Sequence, residues 1–343
     1  MATLRKGKQG GKQRSRARRV RVGAPDARLT SSAGVGAVRE LDRVLGITAA
    51  LEEGIGAVKV RRRGVSGGGL VMAVASCQMS EGDFLVSLDR RRDDVAGQLL
   101  EPVPTPAATT ATGIARRFPD EQLRGIETAI GAINTRMLGL VGPVRRLSLL
   151  KVATIDGDTT DVEVYGRTKE RAEYNHTGQR NLRPHIAHWA EAGVPLAAEL
   201  MAGAADPRSN SVAMLDRAIA ALPAGVGQVR ARWDAGYFAK DLAHACVERG
   251  VQFAIGVTRT APVFAAASHI PDHQWTPAIG MENTELAVID YLPGAWPTEG
   301  VVCIARRTRI TADKVPTGRA RKRRTIPKDQ LTLALGGGNP LKP

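Results

Sequence analysis

The chain has 343 residues, of which 43% are hydrophobic and only 4% aromatic, and its formal net charge is +15. Cys77, Cys246 and Cys303 are scattered and lack Cys-x-x-Cys spacing, which argues against a zinc site or disulfide scaffold and fits a reducing cytoplasm. No stretch approaches the roughly 18 apolar residues of a membrane span.

The basic excess lies at the two ends. Residues 1–24 hold nine Lys/Arg and no acid, and residues 306–328 hold ten Lys/Arg and one acid, Asp313, so the body between them is slightly acidic. Such clusters are the electrostatic footprint of a polyanionic partner. Residues 1–30 read as a disordered basic tail, in which Arg14, Arg16, Arg18 and Arg19 are candidate phosphate contacts. A merely solvated tail is the competing reading.

Residues 31–146 read as helical. The spacing of Val38, Leu41, Val44, Leu45 and Leu51 predicts one helix over 36–53. A flexible break at Ser66–Gly69, an apolar helix over 70–79 and a restart at Ser80–Asp83 follow, with Phe84, Leu85, Leu88 and Val95 turned inward. The proline-rich stretch 101–106 is a stiff linker, and Thr105 offers an N-cap for a small, Thr-rich helix ending at Arg116-Arg117. Hydroxyl side chains with a basic end suit DNA contact, but a surface helix on a bundle is the readier explanation, because no defined helix-turn-helix turn is present. Asp120 caps a last helix, with Leu123, Ile126, Ile130, Ile133 and Met137 on its apolar face.

Past residue 147 the hydrophobic period shortens. Strands are expected over 149–155 and 161–165, forming a hairpin, then over 182–190 and 196–201. A helix capped by Ser209, a strand over 229–233, a helix over 238–249 and a strand over 251–257 complete an α/β domain with a mixed sheet, residues 147–259. Residues 260–330 are a loop-rich insertion with strands near 285–291 and 301–305 and the basic run Arg321-Lys322-Arg323-Arg324. Residues 331–343 form an aberrant, Gly-rich terminus.

Two acidic stretches stand at strand ends: Ile155-Asp156-Gly157-Asp158-Thr159-Thr160 and Arg232-Trp233-Asp234-Ala235-Gly236-Tyr237-Phe238. Carboxylates on neighbouring strands can hold Mg²⁺ against a phosphate backbone. Blander roles exist for both: Asp156-Gly157 is a common hairpin-turn pair, and Asp234 can cap the next helix. His176, His185 and His188 lack zinc-motif spacing, and ordinary polar or DNA-facing roles suit them better. There is no P-loop and no nucleophile elbow.

These two motifs, with Val162-Glu163-Val164-Tyr165-Gly166 after the first and the stretch from Gly178 to Pro184-His185 between them, resemble bacterial insertion-sequence transposases of the DDE class. The resemblance runs from about residue 35 to 330. It implies an RNase H-like catalytic domain, preceded by an all-α region and interrupted by a β-rich insertion. It also implies Mg²⁺, with Mn²⁺ as substitute, held by Asp234 and by Asp158 or, as runner-up, Asp156. The implied reaction is cleavage and strand transfer on double-stranded DNA, at transposon ends and target. A homodimer in the DNA complex and a cytoplasmic, nucleoid-associated location go with it. The family's third carboxylate is a Glu on a later helix, and nothing here matches it. Glu282, Glu285 and Glu299 lie in the insertion without such a helix, so a truncated, inactive remnant is expected. The alternatives are a non-catalytic DNA-binding protein that competes for transposon ends and, more weakly, a ribosome-type RNA binder, which would leave the paired acidic strand ends without purpose.

Overall fold

The computed structural model describes Asp26, residues 28–59, 63–166, 168–175, 177–258 and 260–309, and the backbone of residues 341–342. His176 and the basic residues Arg14, Arg16, Arg18, Arg19, Arg321, Lys322, Arg323 and Arg324 lie outside the described residues.

The first half is helical: α1 (Val35–Leu45), α2 (Ile47–Ile55), α3 (Gly67–Gln78), α4 (Val86–Asp93), α5 (Val95–Gln98), α6 (Ala108–Ala115), α7 (Asp120–Leu140) and α8 (Pro143–Lys151). The single helix expected over 36–53 is two. Gly46 turns left-handed at φ 61° and closes α1, and the Asp42 carboxylate then accepts the Thr48 amide to start α2. The expected break at Ser66–Gly69 is the first turn of α3, capped by Ser66 Oγ, which accepts the Gly69 N–H at 3.0 Å.

Of the residues expected inward around α4, only Leu88 is buried. Phe84, Leu85 and Val95 are exposed. The inner side of this short helix is shared by Leu88 and Arg91, whose guanidinium pairs with the buried Glu101; Glu101 also accepts from Ser76 Oγ at 2.7 Å. Thr105 does not cap α6. It is buried and accepts from Gln98 Nε2, while the first amide of α6, Ala108 N–H, donates to Asp89.

The apolar stripe expected on α7 is borne out in part: Ile126 and Ile133 pack against the helical core, but the fully buried positions are others. Leu123 is exposed, and Gly125, Ala129, Asn134 and Leu138 are buried. Two close approaches cause this. Gly54 and Gly125 meet where α2 crosses α7: a Cβ on Gly54 would stand 2.3 Å from the Gly125 carbonyl oxygen. Further along, Asn134 Nδ2 donates to the Pro195 carbonyl at 3.0 Å. Ala129 therefore belongs to the core of the helical region and Leu138 to the core of the sheet.

Helix α8 runs to Lys151, so the strand expected from Leu149 begins three residues later. The main sheet comprises β1 (Val152–Thr159), β2 (Val162–Glu163), β3 (Glu173–Tyr174), β4 (Arg180–Trp189), β5 (Val194–Ala202), β6 (Gln228–Trp233) and β7 (Gln252–Ile255). Its long strands run β5-β4-β1-β6-β7. The β5-β4-β1 pairs are antiparallel and the β1-β6-β7 pairs parallel. This is the RNase H-like mixed sheet. The expected hairpin does not form. After β1 the chain continues along β4, with the Thr160 N–H on the Pro184 carbonyl and β2 paired to Leu182 and Asn181.

Helices α9 (Ser211–Ala220) and α10 (Lys240–Glu248) pack on one face of this sheet through Met214, Leu215, Leu242 and Cys246. Ser209 does not cap α9. It sits in a short 3₁₀ turn capped by Asp206, and α9 starts at Ser211. The insertion holds an unexpected helix, α11 (Ala261–Ser268), and a second, antiparallel sheet. That sheet is made of β8 (Thr276–Pro277), β9 (Thr284–Ile289), β10 (Cys303–Arg309) and β11 (Leu341–Lys342), in the order β11-β10-β9-β8. Among the described residues no helix is long and apolar enough to cross a membrane.

Candidate metal-holding site

Strand alternation assigns every side chain of β1 to a face. Ile155, Gly157 and Thr159 point into the covered face, where their partners Trp189, Ala187 and His185 are fully buried. Asp156 and Asp158 point to the other, open face, opposite His188 and Ile186. Arg230 and Arg232 of β6, and Gln252 and Ala254 of β7, are on this open face and exposed.

The β1–β6 ladder ends at the pair Gly157–Trp233. The next residues along the two chains are Asp158, near the end of β1, and Asp234, just past the end of β6. Asp234 is still extended, with φ −76° and ψ −177°, so its side chain falls on the open face as well. Both residues are exposed. Each uses one carboxylate oxygen locally: Asp158 Oδ1 accepts the Thr159 N–H at 2.7 Å, and Asp234 Oδ1 accepts the Gly236 N–H at 2.9 Å. The other oxygen of each has no hydrogen-bonded protein partner among the described residues. Two such oxygens on adjacent strand ends, open to solvent, fit part of the all-oxygen shell of a hard divalent cation. The capping role of Asp234 is thus real but occupies only half of its carboxylate.

Asp156 is placed differently. It lies inside β1, not in a turn, and Arg232 grips it with two hydrogen bonds of 2.5 Å, from Nε to Oδ1 and from Nη2 to Oδ2. His188 Nε2 stands 3.8 Å from the same carboxylate. A cation at Asp156 would have to displace the guanidinium. Beneath Arg232, Glu191 receives both the amide and the hydroxyl of Thr154. Burial opposes its charge, but these bonds win and hold its carboxyl below the usual range.

The three insertion glutamates do not join the pair. Glu285 is bonded to Arg307 at 2.7 Å, Glu282 is exposed, and Glu299 lines a cleft of about 1170 Å³ between β7 and the insertion sheet. That cleft touches Trp233 and Ala235 on either side of Asp234, yet neither Asp158 nor Asp234 lines it. Among the described residues no group of three His, Cys, Asp or Glu could hold a metal. Arg116 and Arg117 are exposed at the end of α6, with no carboxylate partner among the described residues, and Thr109, Thr110 and Gly113 are exposed on the same helix.

The covered face holds what residue types alone did not reveal. A Cβ on Gly157 would sit 1.8 Å from the Trp233 ring, so only glycine lets that ring lie against β1 between the two aspartates. His185, expected to be polar or DNA-facing, is fully buried, and its Nδ1–H donates to Glu199 Oε1 at 2.9 Å. Burial disfavours the Glu199 charge, but bonds from His185, Asn210 and Arg217 outweigh it and hold the carboxyl at about 2. Arg217 also pairs with Glu127 of α7. Burial pushes the Tyr237 phenol up, and the charges of Asp158, Asp234 and Glu199 add to that, so its hydroxyl keeps its proton. His185 Nε2 is buried without a hydrogen-bond partner among the described residues, whereas the Tyr237 hydroxyl lies against the Thr159 side chain, whose hydrogen bond opposes the rise. Such an unpaired buried nitrogen costs about 1–3 kcal/mol.

A family model described as "Transposase DDE domain group 1" matches residues 12–316. No curated protein matches the chain.

Proposed function

We propose that the chain, which belongs to the DDE transposase family, cleaves and joins DNA strands at the ends of a mobile element with Asp158 and Asp234 as its metal-holding carboxylates. Members of this family carry out nucleotidyl transfer on DNA with divalent metal ions. The observation that carries the assignment is the register of β1 and β6. Its last pair, Gly157–Trp233, immediately precedes Asp158 and Asp234, each of which keeps one uncommitted oxygen, whereas both oxygens of Asp156 are bonded to Arg232; this supports the reading.

Mg²⁺, or Mn²⁺ in its place, would supply charge stabilisation at the scissile phosphate. The protein's part is to hold two oxygens at the strand ends and to keep them anionic. Arg232, which keeps Asp156 occupied, and Arg230 further down β6 give this open face positive charge that suits a phosphate backbone. Arg116 and Arg117, with the basic ends Arg14–Arg19 and Arg321–Arg324, would add sequence-independent phosphate contacts. Element ends and a target duplex are the DNA partners in this reading, and a homodimer would serve to hold two ends.

A second reading is favoured by one observation: no third carboxylate accompanies the pair among the described residues. In it the chain binds element ends without cutting them and competes with an active enzyme. Nicking of supercoiled plasmid carrying element ends, with Mn²⁺, separates the two. If the full chain nicks and Asp234→Asn does not, the enzymatic reading stands. Equal DNA binding with no more nicking than Asp234→Asn supports the competitor.

A further inference from the structure

Directly beneath the two strand ends lies a buried group that the chemistry above does not use. His185, Tyr237 and Trp233 form a nest of three rings. The Tyr237 and Trp233 centroids are 4.8 Å apart, and His185 stands 5.4 Å from Tyr237 and 6.3 Å from Trp233. Each ring is tied to the backbone that carries the carboxylates. Trp233 immediately precedes Asp234 and lies against Gly157, the residue before Asp158. Tyr237 sits in the 3₁₀ turn that Asp234 caps. His185 is the cross-strand partner of Thr159, the residue after Asp158. The nest therefore braces both aspartates from below.

The orientation of His185 is itself fixed. Glu199 accepts from its Nδ1, and Glu199 is held in turn by Asn210 at 3.2 Å and Arg217 at 3.0 Å. A phenyl ring would fill the same space but could not be oriented by Glu199.

We propose that His185 is a positioning residue for the carboxylate pair. Its ring, oriented by Glu199, wedges Tyr237 against Trp233 and sets the separation at which Asp158 and Asp234 meet a divalent cation. The inference rests on the reading of these aspartates as the metal pair. It makes a prediction that a purely structural role does not. Mg²⁺ demands near-ideal octahedral geometry, whereas Ca²⁺ accepts a flexible shell, so a slackened pair should lose Mg²⁺ much more than Ca²⁺.

The test uses the full chain. Mn²⁺ affinity is measured by the resonance of the free ion, and Mg²⁺ and Ca²⁺ by competition against Mn²⁺. His185→Phe keeps the ring and loses the bond to Glu199. Glu199→Gln keeps the volume and the ring together and loses the carboxylate that orients it, and it serves if the first variant does not fold. We expect each to weaken Mg²⁺ by about tenfold, the scale of outer-shell changes at metal sites, with a smaller loss for Ca²⁺ and DNA affinity unchanged. Wild-type Mg²⁺ affinity in a folded variant, or equal losses for both ions, overturns the inference. Asp234→Asn keeps the two ideas apart: if it binds Mn²⁺ as the wild type does, the metal-pair reading itself has failed.

Discussion

The two faces of the main sheet are built from alternate residues of the same strands, yet they obey different physics. On the covered face Ile155, Trp189, Trp233, His185 and Tyr237 are buried, and the space allowed to Gly157 is set by the Trp233 ring. On the open face Asp158, Arg230 and Arg232 are exposed and Asp156 partly so, and ion pairs and hydrogen bonds rather than packing hold them. The covered face should therefore govern stability, and the open face ligand binding.

The largest expected departure is on the covered side. Trp233→Ala removes a ring that touches β1, His185 and Tyr237 and should cost roughly 3–5 kcal/mol. Gly157→Ala forces the same ring off the strand and should cost at least the 1–3 kcal/mol typical of overpacking, about as much as a moderate core cavity. Guanidinium unfolding of both variants checks this. A Gly157→Ala protein as stable as the wild type would mean that Trp233 does not lie where described.

Next comes a pH dependence. Glu199 has a folded pKa of about 2 against 4.5 in a free side chain. Its folded value is depressed, so its contribution is fully present above about 4.5 and is lost as pH falls toward 2. The shift corresponds to roughly 3 kcal/mol. Unfolding measured across that window should steepen in the wild type and flatten in Glu199→Gln.

On the open face the expected stability changes are small. Asp156→Asn breaks a half-exposed ion pair with Arg232 and should move stability by less than about 1 kcal/mol. Asp158→Asn and Asp234→Asn should leave unfolding nearly untouched while each abolishes Mn²⁺ binding, and Asp156→Asn should retain it. Loss of binding with Asp156→Asn alone would reverse the assignment between the two aspartates of β1. The smallest effect concerns the helical region. Arg116→Ala with Arg117→Ala should lower the slope of log affinity against log salt by about 1.8, if each meets one phosphate, with sequence preference unchanged.

The sheet was legible because period-2 alternation and acidic strand ends leave a strong trace: strands near 182–190, 196–201, 229–233 and 251–257 are all present within a few residues. The α8–β1 junction was not, because Leu149 and Leu150 suit a helix and a strand equally. The Gly-rich turn at 67–69 looked like a break, since composition does not reveal that Ser66 caps it. For the site, the acidic stretches at strand ends already marked Asp156, Asp158 and Asp234 as candidates. What sets the first two apart, the pairing of Asp156 with Arg232, lies in the β1–β6 register, which no single stretch of sequence carries. The ordinary polar role expected of His185 holds in its bond to Glu199, but its burial was not legible, because a single buried histidine carries no pattern of its own. The one available signal was its place in a strand whose alternate residues, Ala187 and Trp189, are apolar.

Helix α7 has a mechanical consequence. At 21 residues it is a beam about 30 Å long, with one end anchored among α2 and its neighbours and the other against β5. A tilt of ten degrees at one anchor would lift the other by about 5 Å, far beyond what close-packed side chains absorb. The helical half cannot swing like a door on a flexible hinge. It either carries the sheet with it or the beam must snap, and a cut anywhere along α7 would leave both halves with a raw apolar flank.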